Sequence, residues 1–222
     1  MTSERTADDT DDTDDSPPPG LRERKKRATR EALSLAAVRL VTERGLEHVR
    51  SEDIAAAAGV SPRTFNNYFS SKYEAIASRN VDRARMAARA LAARPRDEPL
   101  WEAIVRAVLS PLEGAEGPER APDPGTLAAL RRMSEEPALL GEVLKAGLAA
   151  DSALAAAVAA RTGTDAERDL YPRLVAGAVT SAVHVSLDQW LRSDPPVPLL
   201  PLMTEALRQL AAGLPDPSRS DQ

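Results

Sequence analysis

The chain has 222 residues, 42% of them hydrophobic and 28% charged, the mixture of a globular protein long enough for one or two compact domains. It has no cysteine, which excludes disulfides and thiolate metal sites, and no stretch of about 18 uninterrupted apolar residues, so no membrane-spanning helix is expected. The net charge of −5 hides an uneven spread, with 16 Lys and Arg against 8 Asp and Glu in residues 21–94 and acidic segments on both sides.

Aromatic residues make up only 3%, so Ala, Leu and Val must fill the core, and their spacing is helical throughout. The N-terminus has no basic and apolar leader segments, so a cytoplasmic protein is expected. Residues 1–20 are rich in Asp and Thr, end in Pro17-Pro18-Pro19-Gly20 and read as a disordered acidic tail. A helical pattern starts near Leu21. Leu33, Ala36, Ala37, Leu40 and Val41 then form one apolar stripe, and Gly45 is a candidate C-cap. Ahead of that stripe, Arg22, Arg24, Lys25, Lys26, Arg27 and Arg30 make a basic arm. It reads either as a solvated helix face or as a strip that lies along phosphates.

Two short helices follow. Ser51 is a candidate N-cap for the run Glu52 to Ala58, with Glu52 and Asp53 in the first turn, where the helix dipole favours acids. Gly59 ends that run. Ser61 caps the next helix, Pro62 takes its first position, and the helix is expected to run to about Phe69. Ser70-Ser71 opens a long helix from Lys72 to about Arg94, stopped by Pro95. Further helices are expected over about 99–112, 125–133, 137–144, 146–161, 165–192 and 199–212, with a loop at 113–123 and a flexible tail at 214–222. Pro172 either kinks the 165–192 helix or marks its true start.

Residues 51–69, SEDIAAAAGVSPRTFNNYF, have the organisation of a helix-turn-helix, two short helices about a turn at Gly59. Ile54, Ala55, Val60, Phe65 and Phe69 are spaced to pack inward. Ser61, Pro62, Arg63, Thr64, Asn66, Asn67 and Tyr68 are left at the tip and leading face of the second helix. Arg can pair with guanine and Asn with adenine, while hydroxyls and amines hold phosphates. The same pattern also describes two packed helices with a solvated polar face.

Asp53-Ile54-Ala55, Ala58-Gly59-Val60-Ser61, Thr64-Phe65, Tyr68-Phe69 and Ser71-Lys72 keep their spacing across roughly 50 residues, and Arg30 to Ile76 resembles the DNA-binding domain of TetR/AcrR-type bacterial regulators. The resemblance implies an all-α homodimer: an N-terminal three-helix helix-turn-helix head and a C-terminal helical-bundle domain for ligand binding and dimerisation. It implies that Ser51 holds a phosphate, that Pro62, Arg63, Thr64 and Asn66 face bases, and that Asn67, Tyr68 and Lys72 lie on the DNA backbone. It also implies a dimer interface made by the last two helices. The family often has Tyr or Trp where Asn66 and Asn67 stand here.

On this reading the tail is 1–20, the head 21–71 with its basic arm at 22–30, a connecting helix 72–95, and the ligand and dimer domain 96–213. Candidate pocket residues are Trp101, Ile104, Met133, Leu140, Leu144 and His184, with Arg131 and Arg132 for an acidic ligand group; each can equally be core or surface. No Cys, His and carboxylate set has metal spacing, and no phosphate-binding or nucleophile-elbow motif occurs. Neither a cofactor nor catalysis is expected. Double-stranded DNA, a second copy of the chain and a small-molecule effector are the expected partners, and no membrane. A ligand-independent DNA-binding regulator and, further off, a helical-bundle enzyme are the competing readings.

Overall fold

The computed structural model describes residues 19–112 and 121–216. Most of the expected acidic tail, the Gly- and Pro-rich loop after Leu112 and the last six residues therefore lie outside the described residues. Among the described residues there are nine α-helices and no strand. They are α1 (Pro19–Arg44), α2 (Ser51–Ala57), α3 (Pro62–Asn66), α4 (Lys72–Ala93), α5 (Leu100–Leu109), α6 (Pro124–Ser134), α7 (Pro137–Thr162), α8 (Leu170–Arg192) and α9 (Leu199–Ala211), with one 3-10 turn at Leu46–His48.

The apolar stripes assemble into two cores. In the first, Leu33, Ala37, Leu40 and Val41 of α1 meet Ile54 and Ala55 of α2, Phe65 of α3, Phe69, and Ala75, Ile76 and Val81 of α4. In the second, Leu91 of α4 meets Ile104 and Ala107 of α5, Leu154 and Val158 of α7, Val175 and Val179 of α8, and Met203 and Leu207 of α9. Both α4 and α7 belong to both cores, because Leu139 and Ala146 of α7 pack in the first.

Four boundaries differ from the sequence reading, each for a local reason. The first helix starts at Pro19, where a proline loses no hydrogen bond, so the basic strip is the first half of α1 and not an arm ahead of it. The second helix of the motif ends at Asn66, not Phe69. The Asn67 and Tyr68 N–H groups turn back to Thr64 and Phe65 carbonyls at 3.1 and 2.9 Å, which tightens the last turn. The two helices expected over 137–161 are one; tertiary packing on both faces overrides the break suggested at Leu144–Ala146. The 165–192 helix starts at Leu170, with Pro172 in its first turn, and Asp165 and Asp169 tie off the preceding turn through backbone N–H bonds at 2.7–3.1 Å.

By length and composition α7 could cross a membrane, with a mean hydropathy of 1.5 over its most apolar stretch. Here it is the central helix of the bundle, with Leu139, Ala146, Ala150, Leu154 and Val158 buried against its neighbours.

Candidate nucleic-acid interface and ligand cavity

The helix-turn-helix is held by its apolar side. Ile54, Ala55 and Phe65 are fully buried, the Phe65 and Phe69 rings meet at 5.8 Å between centroids, and Val60 is half-buried beside them. Gly59 has φ +70, and a β-carbon there would meet nothing within 4 Å. The glycine is needed for the left-handed turn and not for space. Arg50, not Ser51, stands at the cap of α2, and the Asp53 carboxylate accepts the Arg50 N–H at 2.8 Å. Ser51 is the first helical residue, so its hydroxyl is not committed to a cap. Ser61 does cap α3: its Oγ accepts the Thr64 N–H at 3.1 Å and lies 2.9 Å from the Thr64 hydroxyl.

That scaffold leaves Pro62, Arg63, Asn66 and Asn67 exposed together, with Thr64 and Tyr68 half-buried. Arg22, Arg24, Lys25, Lys26 and Arg27 are all exposed in the first turns of α1. Arg22–Lys26, Arg22–Lys25 and Arg24–Arg27 are like-charge neighbours at helical spacing, which weakens an isolated helix. An anionic partner reverses that cost.

Two cations play roles that spacing did not reveal. The Arg30 guanidinium lies 4.4 Å over the Phe69 ring, and its Nη1 donates to the Tyr68 carbonyl at 3.2 Å. It locks α1 to the end of the motif. Lys72 Nζ donates to the Leu46 and Val49 carbonyls at 2.6 and 2.9 Å, tying the start of α4 to the loop before α2. Behind Arg30, Asp82 of α4 is buried, with Arg85 Nη1 3.9 Å from one carboxylate oxygen and no partner on the other. Burial, chiefly, raises the pKa of Asp82 above the usual 3.8 against the pull of Arg30.

In the body, α4, α5, α7, α8 and α9 enclose a cavity of about 90 Å³. Its walls are largely apolar, with Asn80 and Arg83 of α4 and Thr180 and His184 of α8 as polar members. Arg83 is held down to about 10, mainly by burial and secondarily by Arg79. Of the residues expected to line a pocket, His184 lines this cavity, whereas Arg132 and Met133 line a separate one beside Lys72 and Tyr73. Trp101 is half-buried against the second core and Ile104 is fully buried in it. Arg131 Nε donates to the Leu191 carbonyl, 2.8 Å away; Met133 packs on the first core; Leu140 is 54% exposed. Hydrophobic spacing marks all of these as inward-facing or helical, but it cannot say which core or which side of a helix each one meets.

Leu140, Leu144 and Leu148 of α7 stand exposed one turn apart, and Tyr171, Leu174 and Val185 of α8 are exposed as well. The exposed apolar face therefore involves α7 and α8, whereas α9 buries Leu199, Met203 and Leu207 and Trp190 turns inward to donate to the Val197 carbonyl. No group of three or more His, Asp or Glu able to hold a metal occurs among the described residues.

Residues 35–77 match the family described as bacterial regulatory proteins, tetR family, and residues 98–215 match the MftR C-terminal domain. The chain is 36% identical over 187 residues to the HTH-type transcriptional regulator TcmR of Streptomyces glaucescens, covering 79% of each. Its fold is similar to crystal structures of TetR-family transcriptional regulators from Rhodococcus sp. (TM-score 0.53, 22% identity, 84% of this chain and 98% of that one) and Syntrophomonas wolfei (TM-score 0.52, 16% identity, 86% and 98%).

Proposed function

The chain belongs to the TetR family of bacterial transcriptional regulators, and from that premise we propose that it is a homodimeric, cytoplasmic repressor released from an inverted-repeat operator by a small apolar or amphipathic ligand. Membership in a family of regulators points away from catalysis. The observation that carries the reading is the exposed cluster Pro62, Arg63, Asn66 and Asn67 on a helix whose other side, Phe65, is completely buried. A rigid helix with exposed Arg and Asn is what base reading requires.

In this reading the head is 21–71, the connecting helix 72–95 and the body 96–213. Arg63 and Asn66 address base edges together with Pro62 and Thr64. Ser51, Ser61, Asn67, Tyr68 and Lys72 hold the DNA backbone, and the α1 strip from Arg22 to Arg27 adds phosphate contacts. Ser61 and Thr64 hydroxyls are engaged with each other, so their main service is to fix the tip of α3. The second copy docks on the apolar α7 and α8 face, which leaves α9 outside the centre of the interface. Ligand entering the cavity shifts α4, which carries the change into the head core and favours a head spacing that no longer fits two half-sites.

A reporter driven by a promoter carrying a duplex site that the chain binds tests this. Expression is expected to be low when the chain is present and to rise when it is deleted. Unchanged or lower expression on deletion would contradict repression.

A further inference from the structure

Taking as given that the body binds an effector, we propose that this effector is an amphiphilic organic anion, an apolar skeleton ending in a carboxylate that Arg83 holds. The cavity's walls include Ala87, Val108, Leu154, Val179 and Met203, and no Asp or Glu is among its described lining residues. Arg83 Nε is shielded from water and has no hydrogen-bond partner. Arg83 is half-buried overall; shielding part of a guanidinium without a counter-charge is costly, and elsewhere this chain offsets that cost with other contacts. Arg30, whose Nε is likewise without a partner, still has the Phe69 ring over its guanidinium and the Tyr68 carbonyl on its Nη1. Arg161 donates to the carbonyls of Arg94, Pro95 and Glu98 at 2.5–3.3 Å. Arg83 has no such arrangement, and the charge that acts on it is another cation, Arg79.

A carboxylate completes the site. Its two oxygens match the planar fork of a guanidinium, and its single charge balances Arg83, the one permanently charged residue among the described lining residues. Asn80 lies one helical turn before Arg83 on the same wall, and Thr180 faces the cavity from α8, so amide and hydroxyl donors are available for the remaining lone pairs. At about 90 Å³ the cavity is smaller than the roughly 300–1,000 Å³ of usual ligand sites. Occupancy must therefore part α4 from α7 and α8, and α4 is the helix shared with the head.

The test uses the full chain and four probes, octanoate and 2-naphthoate beside 1-octanol and 2-naphthalenemethanol, with binding followed by calorimetry and DNA release by anisotropy. The acids are expected to bind at least roughly tenfold more tightly than their alcohols, as a charge-assisted hydrogen bond implies. Arg83→Met should erase that preference and Arg83→Lys should keep part of it. Without ligand, Arg83→Met should melt at a higher temperature than the wild type, because it removes an uncompensated charge; a lower melting temperature would overturn the proposal, since a structural arginine behaves that way. If alcohols bind and release DNA as well as acids do, the anion inference falls and the effector reading stands. If none of the four binds, both fall.

Discussion

Arg63 stands exposed beside a side chain with no exposure at all, Phe65, and that contrast decides what its replacement does. Removing the guanidinium costs the fold little, because it packs against nothing. Arg63→Ala should relax base preference at one position per half-site by about 1–3 kcal/mol and leave thermal melting unchanged, as read by competition binding with single-base operator variants. Lys72 is the opposite case. Its ammonium satisfies two loop carbonyls, so Lys72→Met should destabilise the chain by about 2 kcal/mol in denaturant unfolding, as well as weakening DNA binding on all sequences alike. An unchanged unfolding midpoint would mean that those bonds contribute nothing. The family resemblance implied that both residues lie on the DNA side. Exposure and motif spacing follow from helix periodicity, but the partner of a long flexible cation does not, since Lys72 reaches back 26 residues to Leu46.

Among the elements, the α1–α4 junction joins head to body, and it holds polar atoms that the packing leaves without partners: Ser34 Oγ, Arg30 Nε and Asp82 Oδ2. Such a junction is held less tightly than an apolar one of the same size. Asp82 binds its proton more tightly in the folded chain than in the unfolded one, mainly because it is buried. Protonation therefore favours the fold, and the wild type gains relative stability as pH falls through the raised folded value towards 3.8. Asp82→Asn should be more stable than the wild type at neutral pH, with the advantage shrinking on acidification, measured by urea unfolding at the two pH values. A less stable variant at neutral pH would show that the carboxylate is held by Arg30 and Arg85 strongly enough to outweigh its burial.

Element order was largely legible beforehand, because proline, glycine and serine punctuate it: Ser61-Pro62 opens α3, Ser71 caps α4, and Gly163 with φ +70 closes α7. The continuity of α7 was not legible. The run around Leu144 loses its amphipathic signal because the helix serves two cores and a bare face at once, so no single periodicity describes it. The cavity was hidden for a related reason. Its lining comes from five helices, and Arg83 looks like any surface arginine until α7 and α8 are laid over it.

Across the whole molecule, charge is sorted along the chain, with the basic block of residues 21–94 coinciding with the head and α4 and acidic excesses falling in residues 1–20 and in the body. The body also carries exposed apolar side chains on α7 and α8, Leu144 at 71% and Leu174 at 58% among them, and apolar surface of that kind, where it forms a patch, marks an interface. Leu174→Glu should convert a dimer into a folded monomer in sedimentation velocity and abolish operator binding. A variant that remains dimeric would move the interface elsewhere.

Selection of bound sites from random duplex DNA by the full chain tests the central claim most directly. The account predicts an inverted repeat whose half-site centres lie about one helical turn, or a multiple of it, apart. Absence of any enriched sequence would contradict it.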